Sequence, residues 1–164
     1  MLIKTILNKC HKYKSFFYQQ VKLASYQGTE VIDVTIIPRK NALALCSCCG
    51  QPAAGYDSLS ERRFEFMPLW GYRVFFLYTL RRVACRRCGV KVEQVPWAQG
   101  KKELTTTYMQ YLAFWAEKLS WQEVARVFQT SWEKVFSSVD YSVAWGLAHR
   151  SLENISAIGV DEVA

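Results

Sequence analysis

At 164 residues, 51% of them hydrophobic and 15% aromatic, the chain carries too much apolar surface for a disordered protein. It has enough for one ordinary core or two small ones. Lysine plus arginine outnumber aspartate plus glutamate 21 to 14, a net charge of +7, which suits a polyanionic partner but says nothing about fold.

The excess charge is uneven. Residues 1–100 hold 15 basic and 6 acidic side chains, whereas residues 101–164 hold 6 and 8, so a phosphate-binding surface is expected in the first hundred residues. The segment Met1 to Lys9 mixes apolar residues with lysines and has neither a long apolar run nor a small-residue cleavage site. It does not read as a secretory signal, and a reducing, cytoplasmic setting is expected for the cysteines. Lys9, His11, Lys12 and Lys14 form a basic stretch, read equally well as an exposed terminal helix or as a second phosphate patch.

Val31 to Ile37 alternates and ends at Pro38, the pattern of an edge strand. Ala42 to Leu45 leads into Cys46. Gly50-Gln-Pro and Gly55-Tyr-Asp-Ser read as turns, and Arg63 to Met67 as a short strand stopping at Pro68. Val74 to Ala84 is aromatic and β-branched, the profile of a central strand. Its longest apolar run, Val74 to Leu80, is far too short to span a membrane. Lys91 to Val95 is a further strand, closed by Pro96.

After Gly100 the pattern becomes helical. Tyr108, Tyr111, Leu112, Trp115 and Leu119 recur at helical spacing, with a threonine at 105–107 available as a cap. Ser120-Trp-Gln-Glu123 has the form of a capping box. Thr130 or Ser131 can cap a third helix with Val135, Val139 and Val143 on one face. The fold class expected is α+β: a small β-rich zinc ribbon followed by an α-helical helix-turn-helix unit. The divisions fall at 1–40, an N-terminal helix and strand segment packing on the ribbon, 41–99 for the four-cysteine ribbon, and 100–155 for the helical unit.

Cys46-Ser-Cys-Cys49-Gly and Cys85-Arg-Arg-Cys88-Gly are two Cys-x-x-Cys-Gly units, with 35 residues (50 to 84) between Cys49 and Cys85. Two residues between thiolates let a tight turn aim both sulfurs at one ion, and two such turns supply the closed tetrahedral set of a structural zinc. The glycine after each pair tolerates a left-handed backbone. Cys46, Cys49, Cys85 and Cys88 are therefore the expected zinc ligands, with free or disulfide-bonded thiols and rubredoxin-like iron as the alternatives. Cys48 reads as a bystander thiol and Cys10 as ordinary. The ion is expected to replace a core that so small a ribbon lacks, so chelation would collapse the first hundred residues.

Arg81, Arg82, Arg86, Arg87 and Lys91 cluster around the second cysteine pair, with Arg62 and Arg63 before it. Guanidinium groups on a rigid ribbon can grip phosphates bidentately; the alternative is a solvated basic face. Phe75, Phe76, Tyr78, Trp70 and Trp97 read as core before base-stacking platforms. Trp121 to Val143 fits a helix-turn-helix, with Val124, Phe128, Val135 and Val139 in the shared core. The second helix of the pair would present Glu133, Lys134, Ser137 and Ser138 to a major groove. Gln129 stands where such turns often place glycine, and a compact helical pair used for packing is the alternative.

The order of these features resembles the N-terminal part of bacterial insertion-sequence transposases of the ISL-three family. The segments that carry the resemblance are Cys46-Ser-Cys-Cys-Gly, Arg81-Arg-Val-Ala-Cys-Arg-Arg-Cys-Gly-Val, Val95-Pro-Trp-Ala, Leu119-Ser-Trp-Gln-Glu-Val-Ala and Ile158-Gly-Val-Asp-Glu-Val-Ala. Ser47, the extra Cys48 and Gln129 depart from the family's pattern. The resemblance implies binding to double-stranded DNA at the terminal inverted repeats, a location at the bacterial nucleoid in the cytoplasm, no membrane partner, and a homodimer as an open option. It makes 156–164 the first strand of an RNase H-like catalytic domain and Asp161 the first acid of a metal-binding triad, in which a full-length enzyme would hold magnesium. The other two acids are expected beyond Ala164, so this chain is expected to lack activity by itself. A stand-alone zinc-ribbon and helix-turn-helix regulator is the competing reading, and a zinc-stapled protein-interaction module the third.

Overall fold

Two dipeptides set the hairpins of the first hundred residues. Gln27-Gly28 and Trp70-Gly71 have φ of 53° and 78°, and of 51° and 84°. Positive φ at both central residues is what a type I′ turn requires, and its twist matches that of the antiparallel strands it joins. In this computed structural model, which describes residues 3–151 and 153, the first turn links β1 (Phe16–Tyr26) to β2 (Thr29–Pro38). The second links β4 (Pro52–Leu69) to β5 (Tyr72–Cys85). A helix, α1 (Ile3–Cys10), precedes them; the short β3 (Ala44–Leu45) and β6 (Gly89–Val92) flank the cysteine pairs. Helices α2 (Thr106–Ala116), α3 (Trp121–Val127) and α4 (Trp132–His149) follow.

The strands form one sheet in the order β1-β2-β5-β4-β3, with β6 also on β5. Only β2 and β5 run parallel. β2 pairs with Arg73 to Leu77 and β6 with Arg82 to Cys85, while β4 accompanies β5 along nearly its whole length on the other edge. Between the two shorter partners, residues 78–81 of β5 face no strand on that edge. At the same level the β4–β5 register shifts between Ser58 and Glu61, the mark of a bulge.

Several local expectations change. Val31 to Ile37 lies inside the sheet, because β1 takes the edge; accordingly Val31, Ile32, Val34 and Ile36 are all buried. Gly55 to Ser58 is part of β4 with a register shift at Gly55/Asp57: pairing with β5 overrides the turn preference of those residues. The strand read as ending at Pro68 continues to Leu69. Pro68 falls in a third register shift, between Phe66 and Leu69, where a missing N–H costs little.

The main core lies between one sheet face, α1 and the segment after β6. Phe16, Tyr18, Phe64, Phe66, Phe76 and Tyr78 are buried there with Leu7 and Trp97. The Trp97 ring meets those of Phe16, Tyr78 and Tyr13 at 4.9, 5.2 and 5.4 Å between centroids. Of the aromatics expected in the core, Phe75 also packs inside, on the opposite face with Val31 and Leu77. Trp70 does not: at the tip of the β4–β5 turn it is 72% exposed.

The helices begin where caps predict. Thr105 Oγ1 accepts from Tyr108 N (3.3 Å). The Ser120–Glu123 capping box is complete, and Ser131 Oγ accepts from Lys134 N. Gln129 adopts φ 51° between α3 and α4, supplying without glycine the left-handed residue that this connection needs. Leu104, Tyr108, Met109, Leu112, Val124, Ala125 and Val135 form the helical core. Val139 is half-buried and Val143 exposed, so Val143 does not share a buried face with Val135.

The helical unit docks on the outer edge of β4. Glu65 N donates to Glu103 O (2.7 Å) and Thr105 N donates to Glu65 O (2.9 Å). The buried Glu65 carboxylate, on the face opposite Phe64 and Phe66, accepts from Arg73 Nε (3.0 Å) and from Lys134 Nζ of α4 (2.9 Å). Met67 packs against both cores. Gly100, the expected boundary, has φ 58°, but the chain crosses straight back to β4 after it.

Candidate metal centre and its basic surround

Each cysteine pair lies at the end of a strand and at the start of its return. β3 runs into Cys46, where Gly50 N donates to Cys46 O (2.8 Å) and Cys46 N donates to Gln51 O (2.9 Å). β5 runs into Cys85, which pairs with Gly89 at the start of β6. Gly50 and Gly89 both take left-handed backbones, φ 69° and 72°, as required to fold each Cys-x-x-Cys turn back on itself. The two turns are tied together: Gln94 N donates to Leu45 O (2.7 Å) and Ser47 N to Val92 O (3.2 Å).

This brings together the four cysteines that the spacing selects. The sulfurs of Cys46, Cys49, Cys85 and Cys88 lie within 4.8 Å of one another, with Cys49 and Cys85 3.6 Å apart. Sulfurs about 2.3 Å from one tetrahedral ion would be separated by about 3.8 Å, so the set fits a single metal ion and is compatible with structural zinc. Backbone N–H groups of Arg87 and then Cys88 hold the Cys85 thiol down to about 7, which favours the thiolate that a metal needs. The thiol of Cys88 is pushed up, chiefly by Cys48 and Cys49 beside it. Cys48 itself is exposed and outside the set of four, as is Cys10.

The core beneath the sulfurs is small, formed by Ala44 and Val83 with the cysteines and Ala53, and separate from the aromatic core. The expectation that a metal must stand in for the core of the first hundred residues therefore changes. The sheet supplies its own aromatic core, and the ion would staple only its far end.

The basic residues around the site divide into two sets. Arg81, expected as a phosphate contact, is instead turned onto Glu93, whose side chain is fully buried. Its Nη2 and Nε lie 2.6 and 2.9 Å from Glu93 Oε2. Glu93 Oε1 also accepts from Tyr78 Oη and from Arg81 N, both at 2.7 Å. The carboxylate thus bonds part of the unpaired edge of β5; it raises the Arg81 pKa, and burial with this bond pushes Tyr78 up. Arg82 pairs with Asp57 and lies over Tyr56, and its hydrogen bonds lower the Asp57 carboxyl. Arg62 donates to the carbonyls of Lys101 and Lys102, and Arg63 pairs with Asp33 (2.9 Å).

Arg86, Arg87 and Lys91 form the second set. Arg86 and Lys91 are exposed and Arg87 is also on the surface of the second turn. Among the described residues none of the three has an ion-pair partner. Lys91 also lines a groove between β6 and the helical unit, together with Arg62, Gln94, Lys101, Gln110 and Tyr141.

The face of α4 expected to look outward is turned inward. Ser138 is completely buried and donates to Lys134 O, Lys134 is held by Glu65, and Ser137 accepts from Lys102 Nζ (3.3 Å). The reason is the docking of α4 against α2 and α3, with Lys134 reaching Glu65 of β4, which the helical periodicity alone cannot orient. Of the four residues expected on that surface, only Glu133 is exposed. Asp161 and the segment Ile158 to Asp161 lie outside the described residues.

Glu65 and Glu93 carry much of the polar architecture and were not singled out by spacing or motif. Neither stands out in the sequence, since Glu65 takes the polar place in the alternation Arg63-Phe-Glu-Phe-Met and Glu93 lies in the mixed segment Lys91-Val-Glu-Gln-Val. Arg81→Ala is expected to behave as a stability variant: stripping the buried Glu93 of its cation should cost about 3 kcal/mol, measurable by denaturant unfolding. A loss below about 1 kcal/mol would mean that the pair is dispensable. Compared with known protein families, curated proteins and solved structures, the chain matches none of them.

Proposed function

We propose that the chain binds double-stranded DNA through its four-cysteine end, and that it is the DNA-binding part of an insertion-sequence transposase resembling the ISL-three family. In this reading the ion is zinc, the far end of the sheet is a zinc ribbon, and α3 and α4 form a helix-turn-helix. The observation that carries it is the pair Arg86 and Arg87, displayed on a turn held by the cysteines and without an ion-pair partner among the described residues. Lys91 and the groove towards Lys101 extend the same positive surface, suited to phosphate contacts that position a duplex.

The proposal assigns the second turn a larger share of binding than the helices. The outward residues at the start of α4 are Trp132, Glu133 and Phe136, an acidic and apolar set that suits neither phosphates nor a negatively charged groove. The zinc is structural: its chemistry is to hold four thiolates in a closed tetrahedron, and this chain's arginines do the binding.

Salt dependence tests this directly. Each phosphate contact contributes about 0.9 to the slope of log K against log salt, so Arg86→Ala with Arg87→Ala should flatten the slope by nearly two units on an element-end duplex. Arg81→Ala should leave it unchanged. An unaltered slope in the Arg86/Arg87 variant removes this turn from the interface, and failure to retain any duplex at low salt removes DNA as the partner.

A further inference from the structure

We propose that two copies of the chain associate through α4, running antiparallel along a stripe formed by Trp132, Phe136, Val139, Val143 and Leu147. These positions follow one another at intervals of four and three residues, the spacing of a helix seam. Val135 and Ser138, on the adjoining side that packs on the other helices, are wholly buried. Trp132, Phe136, Val143 and Leu147 are 52, 49, 54 and 56% exposed. Trp121, at the start of α3, widens the stripe by placing its ring 5.4 Å from that of Phe136.

The last two turns of α4 are the second observation. From Val143 to Arg150 every residue is exposed, so the helix projects beyond the body that supports its first half. An isolated end of this length is marginal in water without packing, yet this one carries Val143, Trp145 and Leu147. An antiparallel copy would seat each projecting end on the free stripe of the other's supported half, with Phe136 facing Leu147. A parallel pair would set the two bodies side by side and leave both projecting ends without that support.

Charge selects the same arrangement. Glu133 lies at the N-terminal end of the stripe and Arg150 at its C-terminal end, and neither has an ion-pair partner among the described residues. Antiparallel pairing brings Glu133 of one copy to Arg150 of the other twice, whereas parallel pairing sets like charges together. Opposed helix dipoles add to the preference. Asp140 is the repulsive element, because it falls beside the two-fold axis in both copies. The stripe is a single helix face, which places the contact below the ~1,200 Å² of standard complexes and fits a reversible dimer. The inference is independent of what the cysteine end binds.

Sedimentation equilibrium of the reduced, metal-loaded full chain, from about 1 to about 100 µM, is the test. The expected result is a monomer–dimer equilibrium abolished by Phe136→Glu with Val143→Glu at unchanged helicity. Glu133→Arg or Arg150→Glu alone should weaken association about fivefold, the two together should restore it, and Asp140→Asn should tighten it. The charge exchange lies on the surface and leaves folding aside. A monomer at every concentration, species larger than two copies, or a charge exchange that restores nothing overturns the proposal.

Discussion

Glu65→Ala is expected to destabilise the protein by about 3–5 kcal/mol, the cost of breaking a buried ion pair from one side. The carboxylate is nearly inaccessible and lies between Arg73 of β5 and Lys134 of α4. Its removal leaves Arg73 without its carboxylate and Lys134 with only the more distant, exposed Glu103 (3.9 Å) in a partly dehydrated junction. The shift in Tm should be roughly 10 °C for a chain of this size. Hydrogen exchange should also rise in α4 before it rises in β5, because Lys134 is the only one of the two cations contributed by the helices. Unfolding within about 1 kcal/mol of the wild type would show that apolar contacts such as Met67 carry the docking.

Metal removal should produce the other large effect, and a local one. Chelation of the reduced protein, or Cys85→Ser, is expected to free the segments 42–58 and 81–94 for exchange while residues 16–38 and 63–77 stay protected. Structural zinc contributes on the order of 10 kcal/mol in isolated zinc-finger peptides, which have almost no other core. Here the aromatic cluster around Trp97 and Phe76 is formed by side chains remote from the sulfurs. Most of the β-sheet circular dichroism should therefore survive, and binding to any duplex should fall sharply. Melting of the whole sheet would show that the aromatic core depends on the metal. Unchanged exchange at both cysteine turns would show that no ion supports them.

The set of four clustered cysteines was legible because it is a matter of short-range chemistry: two residues between thiols, then glycine, fold each pair into a tight turn. Caps were legible for the same reason, since Thr105, Ser120 and Ser131 act within a single turn. What escaped was pairing over long distances. β1 was missed because its outer half is polar, with Gln19, Gln20, Lys22 and Ser25, and the true edge strand then left β2 misplaced as an edge. The first half of β4 was hidden by Gly55, Asp57 and Ser58, which favour turns until β5 pairs with them. The rotation of α4 was illegible too, because Val139 and Val143 continue an apolar pattern past Val135 onto a side that is only half-buried and then exposed.

β5 has a further consequence. A strand of this length reaches about 46 Å, from the Trp70-Gly71 turn to the sulfurs, and it passes a level at which its β2 neighbour has ended and β6 has not begun. The β4 bulge falls at that same level, and Glu93 bridges part of the gap with a side chain where a ladder would use backbone. The sheet is thus narrowest at Thr79 and Leu80, and bending stiffness there is lowest. A pivot at this waist would carry the cysteine end as one arm while the aromatic half stays still, and would let Arg86 and Arg87 follow the curvature of whatever they grip.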